Sequence, residues 1–186
     1  MNLFYSNRLL IKVRKHIKAG GVIAYPTESC YGFGCDPFNR KAIDKIIKVK
    51  GRSKTKGLIV IAGDLKQLEK LILPLTRNDL QEVSQYWPGP YSLILPVTRK
   101  VPRNLIGVHP RIAVRVSKHY LVRQLCDRLN LPLVSTSANK SGFKSIRTYR
   151  ECKRQFGKKV MVLPGLTSFA KKPSTIIDWK SRKRLR

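Results

Sequence analysis

A single α/β domain, with a twisted mixed β-sheet flanked by helices, is the fold class this sequence predicts. Three observations carry that prediction. Short apolar and β-branched runs alternate with amphipathic stretches along the whole chain. The 186 residues, 42% hydrophobic with 12 Gly, are enough for one ordinary core. No internal repeat or linker divides the chain, so one domain is expected over 1–186, with its core from about 6 to 179 and a basic tail at 180–186. The strand-helix-strand order is not strict, which favours a mixed sheet over a doubly wound parallel one.

The elements follow in order. Ser6 can cap a helix from Asn7 to about Ala19, with Leu10, Val13 and Ile17 on one face and Gly20-Gly21 ending it. Val22 to Tyr25 predicts a strand stopped by Pro26. Thr27 to Asp36 is small, polar and glycine-containing, and is expected to be a loop. Asn39 can cap a helix to about Val49, with Ala42, Ile43, Ile46 and Ile47 as its buried stripe. The basic segment Lys50 to Lys56 then leads into a buried strand, Leu58 to Ile61. Helices are expected over Leu65–Leu73 and Asn78–Tyr86, with a rigid break at Trp87-Pro-Gly-Pro90. Strands are expected at Tyr91–Val97 and Ile112–Val116, with irregular chain between Arg99 and Pro110. A helix at Leu121–Leu129, a strand from Leu133, a helix at Thr148–Phe156 and strands at Val160–Leu163 and Thr175–Asp178 complete the core. The basic tail beyond Trp179 is expected to be mobile.

Charge bounds the chemistry. Lys and Arg number 39 against 10 Asp and Glu, a net charge of +29. Such an imbalance attracts polyanions, among them nucleic acid, phosphorylated ligands and anionic surfaces. A chain-wide basic bias unrelated to function would read the same way. Asp79 and Glu82, the closest acidic pair, fall on a surface helix, and nothing else suggests a carboxylate metal cage or a glycosidase-type pair. Cys30, Cys35, Cys126 and Cys152 form no C-x-x-C pair and His16, His109 and His119 are scattered, so no zinc site is predicted and free thiols are favoured over a disulfide. No apolar run approaches a membrane span, and Met1–Ser6 lacks the basic-then-apolar pattern of a signal peptide. A cytoplasmic protein with no membrane partner is therefore expected.

Three stretches carry candidate chemistry. In Leu133-Val-Ser-Thr-Ser-Ala-Asn-Lys-Ser-Gly142 a short strand breaks into small polar residues that expose N–H groups and hydroxyls, and strand ends in α/β proteins are where ligands bind. Lys50-Gly-Arg-Ser-Lys-Thr-Lys56 supplies charge-assisted donors suited to a polyphosphate, or is simply a solvated run. Arg115, alone among apolar neighbours in its strand, needs an anionic partner, either a protein carboxylate or a substrate group. There is no G-x-x-x-x-G-K-[ST] and no G-x-G-x-x-G, so a nucleotide would be held in another way.

Pro26-Thr-Glu-Ser-Cys-Tyr-Gly-Phe-Gly34, Lys50-Gly-Arg52 with Lys56-Gly-Leu58, Trp87-Pro-Gly-Pro90, Ser135-Thr-Ser-Ala-Asn-Lys-Ser-Gly142, Arg115 and Pro173-Ser-Thr175 stand in that arrangement from about Ser6 to Trp179. Together they resemble the YrdC/TsaC family of L-threonylcarbamoyladenylate synthases, in its short bacterial form. The resemblance implies a YrdC-like fold. It also implies a cytoplasmic enzyme that makes threonylcarbamoyl-AMP and pyrophosphate from L-threonine, bicarbonate or CO₂, and ATP. The product would serve N6-threonylcarbamoylation of adenosine 37 in tRNAs reading codons that begin with A, with the transfer left to separate threonylcarbamoyl transferase proteins. By resemblance Lys50 and Arg52 are catalytic and contact the ATP phosphates. Ser137 and Asn139 complete the nucleotide site and Arg147 adds to it, while Thr27, Arg115 and Ser174 hold the threonine. Mg²⁺ would arrive on the ATP phosphates. Ser29, Cys30, Ser53 and Ser117 depart from residues common in the family, which bears on the shape of the threonine loop.

A different class of function is an RNA-binding module, for double-stranded RNA or tRNA, that uses a basic concave face without catalysis. Such a module has no need of Lys50, Arg52, Ser137 and Asn139 as a set. A serine hydrolase would need a His base and an acid gathered at Ser135 or Ser137, and no motif supplies them.

Overall fold

The structure is a computed structural model that describes residues 4–168 and 170–186; the first three residues of the Met1–Ser6 segment lie outside it. In chain order the elements are α1 (Asn7–Lys18), β1 (Ile23–Pro26), β2 (Tyr31–Gly34), α2 (Arg40–Lys50), β3 (Ile59–Ala62), α3 (Arg77–Val83), β4 (Tyr91–Pro96), α4 (Arg103–Ile106), β5 (Arg111–Val116), α5 (Tyr120–Leu129), β6 (Leu133–Ser137), α6 (Tyr149–Phe156), β7 (Met161–Val162) and β8 (Thr175–Asp178). The eight strands form one mixed sheet in the order β7-β1-β2-β6-β3-β5-β4-β8. The β1–β7, β3–β5 and β4–β8 pairs are parallel; the other neighbours are antiparallel.

Side-chain alternation along the strands gives the sheet two unlike faces. Phe33, Val60, Leu93, Val114 and Val134 lie on one face, buried with Ile43 and Ile46 of α2 and Phe156 of α6. Phe33 and Phe156 meet edge to face at 4.9 Å. Ile23, Tyr25, Ile61 and Leu133 lie on the other face, under Val13 and Ile17 of α1 and Leu121, Val122 and Leu125 of α5. Each such buried side chain contributes about 1.5–3 kcal/mol. The pairing register puts Gly32, Ile59, Ile94, Ala113, Arg115, Ser135 and Ser137 on this second face too. There, beyond the reach of α1 and α5, the sheet floors a cavity of about 620 Å³.

Local chemistry explains most element ends. The Ser6 hydroxyl accepts from Leu9 N–H to start α1, and the Asn39 side chain accepts from Ala42 N–H to start α2. Gly51 closes α2 at φ 60°, a conformation suited to glycine, and turns the chain between Lys50 and Arg52. Asp79 is not a free surface acid. It closes a capping box with Thr76 and accepts from the Trp179 indole, while Glu82 pairs with Arg182. Trp87 donates to the Tyr91 carbonyl (2.8 Å) and Gly89 N–H bonds Val116 O (2.9 Å), which ties the Trp-Pro-Gly-Pro break to the start of β4 and the end of β5.

Four expectations are corrected, the first being that the chain between Arg99 and Pro110 is not all irregular, because Arg103–Ile106 forms α4. Thr27–Asp36 is not all loop, because Tyr31–Gly34 forms β2. Tyr31 and Phe33 pack on one face, and on the other Gly34 has no room for a side chain: a Cβ there would lie 2.5 Å from the Tyr25 ring. Leu65–Leu73 is helical only as a 3₁₀ turn over Leu65–Leu68. Pro74 disfavours helical backbone before it, and Ile72 bridges Val97 instead. The tail does not hang free. Residues 183–186 run back antiparallel to β8, with Leu185 N–H on Ile176 O (2.8 Å) and Ile176 N–H on Arg186 O (3.1 Å).

Candidate active site

Six of the eight residues singled out above line the cavity: Thr27, Arg52, Arg115, Ser137, Arg147 and Ser174. Lys50 and Asn139 lie just behind its wall, buried. The Lys50 ammonium donates to the carbonyl of Ser137 and to the carbonyl and side-chain oxygen of Asn139, the latter two at 3.0 and 3.5 Å. The Lys50 carbonyl accepts from Ser141 N–H (2.8 Å). The C-terminus of α2 is thus stitched to the loop after β6 from both sides. The Asn139 amide holds that loop from within, donating to Lys140 O (2.8 Å) and Phe143 O (2.7 Å). Burial first, then the nearby Arg52, push the Lys50 amine down to about 8.

Arg52 anchors its guanidinium on the carbonyl of Gly57 (2.9 Å). Arg147 is exposed on the rim. Arg186, Arg111 and Lys171 also line the cavity and were not foreseen. Arg186 comes from the folded-back tail and reaches Ser174 through Nε to the carbonyl (3.1 Å) and Nη2 to the hydroxyl (3.2 Å). Burial, then Arg115 and Arg52, hold its guanidinium below the ordinary range. The Ser174 hydroxyl also meets Ser92 at 3.0 Å. No Asp or Glu lines the cavity among the described residues, nor do any three His, Cys, Asp or Glu cluster to hold a metal ion there.

Arg115 has found its protein carboxylate. Its Nη2 donates to Glu28 at 2.9 Å, and the other Glu28 oxygen accepts from Ser117 Oγ at 2.6 Å. Burial pushes the Glu28 carboxyl up, but Arg115 and Ser117 outweigh it and the net displacement is downward. Removing one partner of so buried a pair costs about 3–5 kcal/mol. Arg115 Nε is buried with no partner among the described residues. Thr27 is fixed beside it, its hydroxyl donating to Cys30 O (2.7 Å). The segment between β7 and β8 crosses here, with Ala170 N–H on Glu28 O (2.9 Å) and the Tyr31 hydroxyl on Gly165 O (2.7 Å). The four cysteines are free, and Cys30 alone among them lines the cavity. Arg186 and Glu28 escaped the sequence reading for different reasons. The tail carried only a charge signal, and Glu28 was one acid in a loop whose partner lies 87 positions away.

One basin therefore offers several guanidiniums, hydroxyls and a tightly held loop. That suits an anionic, phosphate-bearing ligand beside a smaller carboxylate. A threonylcarbamoyl-AMP synthase of Chromobacterium violaceum is 49% identical over 97% of this chain and 93% of its own length. One of Methylobacillus flagellatus is 50% identical over 87% and 90%. Among solved structures, P. abyssi Sua5 complexed with L-threonine superposes with a TM-score of 0.86 at 28% identity, covering 97% of this chain and 54% of that one. No helix among the described residues is long and apolar enough to cross a membrane. The Sua5/YciO/YrdC family model, described as telomere recombination, matches residues 15–186, and the chain belongs to that family.

Proposed function

We propose that this chain is an L-threonylcarbamoyladenylate synthase. The observation that carries the reading is the single cavity: it gathers Thr27, Arg52, Arg115, Ser137, Arg147 and Ser174, with Lys50 locking the loop behind Ser137. The amine of L-threonine attacks CO₂ to give a carbamate with loss of a proton; from bicarbonate the carbamate forms with loss of water instead. A carbamate oxygen then attacks the α-phosphorus of ATP and pyrophosphate departs. No protein nucleophile is needed, and the barrier falls through positioning and charge neutralisation.

Arg52 and Arg147 take the triphosphate side. Ser137 presents its hydroxyl from the loop that Lys50 and Asn139 hold. Thr27, Arg115 and Ser174 take the amino acid, with Arg115 facing its carboxylate. Mg²⁺ accompanies ATP on the phosphates, since no carboxylate lines the cavity among the described residues. The product goes to tRNA adenosine 37 through separate transferase proteins in the cytoplasm, and the basic surface favours tRNA nearby. Formation of the adenylate takes place in one domain over 1–186.

Pyrophosphate release from ATP tests the reading. Release should require both L-threonine and bicarbonate, with L-serine a poorer substrate. A folded protein that binds ATP but releases no pyrophosphate under these conditions would refute it.

A further inference from the structure

We infer that Glu28 assigns the two ends of this cavity to two different anions, by keeping phosphate off Arg115 while letting an amino-acid carboxylate share that guanidinium. The inference rests on the reading of Arg115 as the threonine carboxylate site. A cavity lined by Arg52, Arg111, Arg115, Arg147, Lys171 and Arg186 has no intrinsic reason to send a triphosphate to one end and an amino acid to the other. Every one of these cations attracts phosphate, and a phosphate is the more highly charged anion.

Two of them differ in how they are neutralised. Arg111 is paired with Asp178 and Arg115 with Glu28, whereas Arg52 and Arg186 rest on carbonyls and a hydroxyl. The Glu28 carboxylate sits against Nη2 at 2.9 Å, with Ser117 Oγ pinning its other oxygen at 2.6 Å and His119 N–H bonding that hydroxyl at 3.0 Å. The carboxylate is therefore held in place and cannot swing away when an anion approaches. A dianion at Arg115 meets this fixed negative charge at close range. A carboxylate carries half that charge and brings an ammonium or amine with it. Like-charge juxtaposition of this kind commonly costs enough to reverse a preference.

The test is calorimetric titration of L-threonine into the full chain at rising inorganic phosphate, with chloride holding ionic strength constant. In the wild-type chain phosphate should compete weakly with threonine and clearly with ATP. In Glu28→Gln the competition against threonine should tighten by about tenfold, and Glu28→Asp, which keeps the charge, should stay near wild type. Equal competition in Glu28→Gln and wild type overturns the inference. So does a wild-type chain in which phosphate competes with threonine as tightly as with ATP, a comparison that decides the matter even where Glu28→Gln fails to fold. Arg115→Met separates the two levels. Unchanged threonine affinity in that variant refutes the carboxylate assignment itself, whereas lost affinity with phosphate-insensitive Glu28→Gln refutes only the role of Glu28.

Discussion

The cations at the cavity are held by opposite means: Lys50 and Arg52 by carbonyls, with Arg186 on the Ser174 carbonyl and hydroxyl, and Arg115 by a carboxylate. At the end proposed for the nucleotide, Lys50 and Arg52 are held by carbonyl oxygens, which orient a cation without cancelling its charge. At the end proposed for the amino acid, Arg115 is held by Glu28, which orients it and cancels most of its charge. A polyanion therefore gains from the first arrangement, and a zwitterion is tolerated by the second. The comparison teaches that the anchor, and not the count of basic residues, decides which ligand a basic pocket prefers. It also gives meaning to an acid-poor sequence: with 10 Asp and Glu in the chain, each carboxylate beside a functional arginine alters the local field strongly.

The largest expected effect comes from breaking the carbonyl-held end. Lys50→Ala removes the three donors that pin the Ser137–Ser141 loop, so the loop's hydroxyls and N–H groups lose their fixed aim. Adenylate formation should fall by about a hundredfold or more, in line with the cost of misplacing a site by a fraction of a bond length. Circular dichroism should show the fold retained. Turnover close to wild type would mean that the loop needs no such lock.

Arg52→Ala should come next. It deletes a half-buried guanidinium while leaving the loop intact, and the Michaelis constant for ATP should rise by about ten- to a hundredfold, with that for threonine little changed. If both constants rise together, the two ends are not separable and the contrast above fails.

Solution pH sharpens the same point without a mutation. Below about 8 the Lys50 amine is charged and can donate to all its acceptors. Above that value it loses a proton and turns a lone pair toward a carbonyl oxygen. At saturating threonine, kcat/KM for ATP should fall about tenfold per unit on the alkaline side. Lys50→Arg should move the limb upward. A limb unaffected by that change would belong to another group.

How far the sequence reveals this arrangement depends on the range of the interactions. The ends of α1 and α2 were legible because Ser6 and Asn39 act on residues three positions away. The stripe Ala42, Ile43, Ile46 and Ile47 was legible for the same reason, and so was the strand end at Ser137. β2 was hidden because Tyr-Gly-Phe-Gly reads as a turn, while Gly34 answers to Tyr25 and to the strand beside it. The 3₁₀ turn at Leu65–Leu68 gave way to a bridge between Ile72 and Val97, which no local rule foresees. In the site, residue types were legible and directions were not. Lys50 stands out in the sequence for its charge, yet its ammonium ends on carbonyls 87 and 89 positions away. Arg115 was known to need an anion, and which one depended on the fold placing Glu28 beside it. Arg186 entered through a tail that charge alone marked as loose.

The smallest effect should come from the rim of the nucleotide end. Arg147 lines the cavity as Arg52 does, and is proposed to share that end with it, but is exposed, so water and salt screen its charge and its side chain must be ordered to help. Arg147→Ala should raise the Michaelis constant for ATP by only about two- to fivefold at low salt, and the difference from wild type should shrink toward nothing near physiological ionic strength. Arg52→Ala should keep most of its effect in the same salt series, because its guanidinium is half withdrawn from solvent and tied to Gly57. Were the two variants to lose their effects in parallel as salt rises, burial would not be what separates them, and long-range attraction by the whole basic surface would be the better account of how ATP is held.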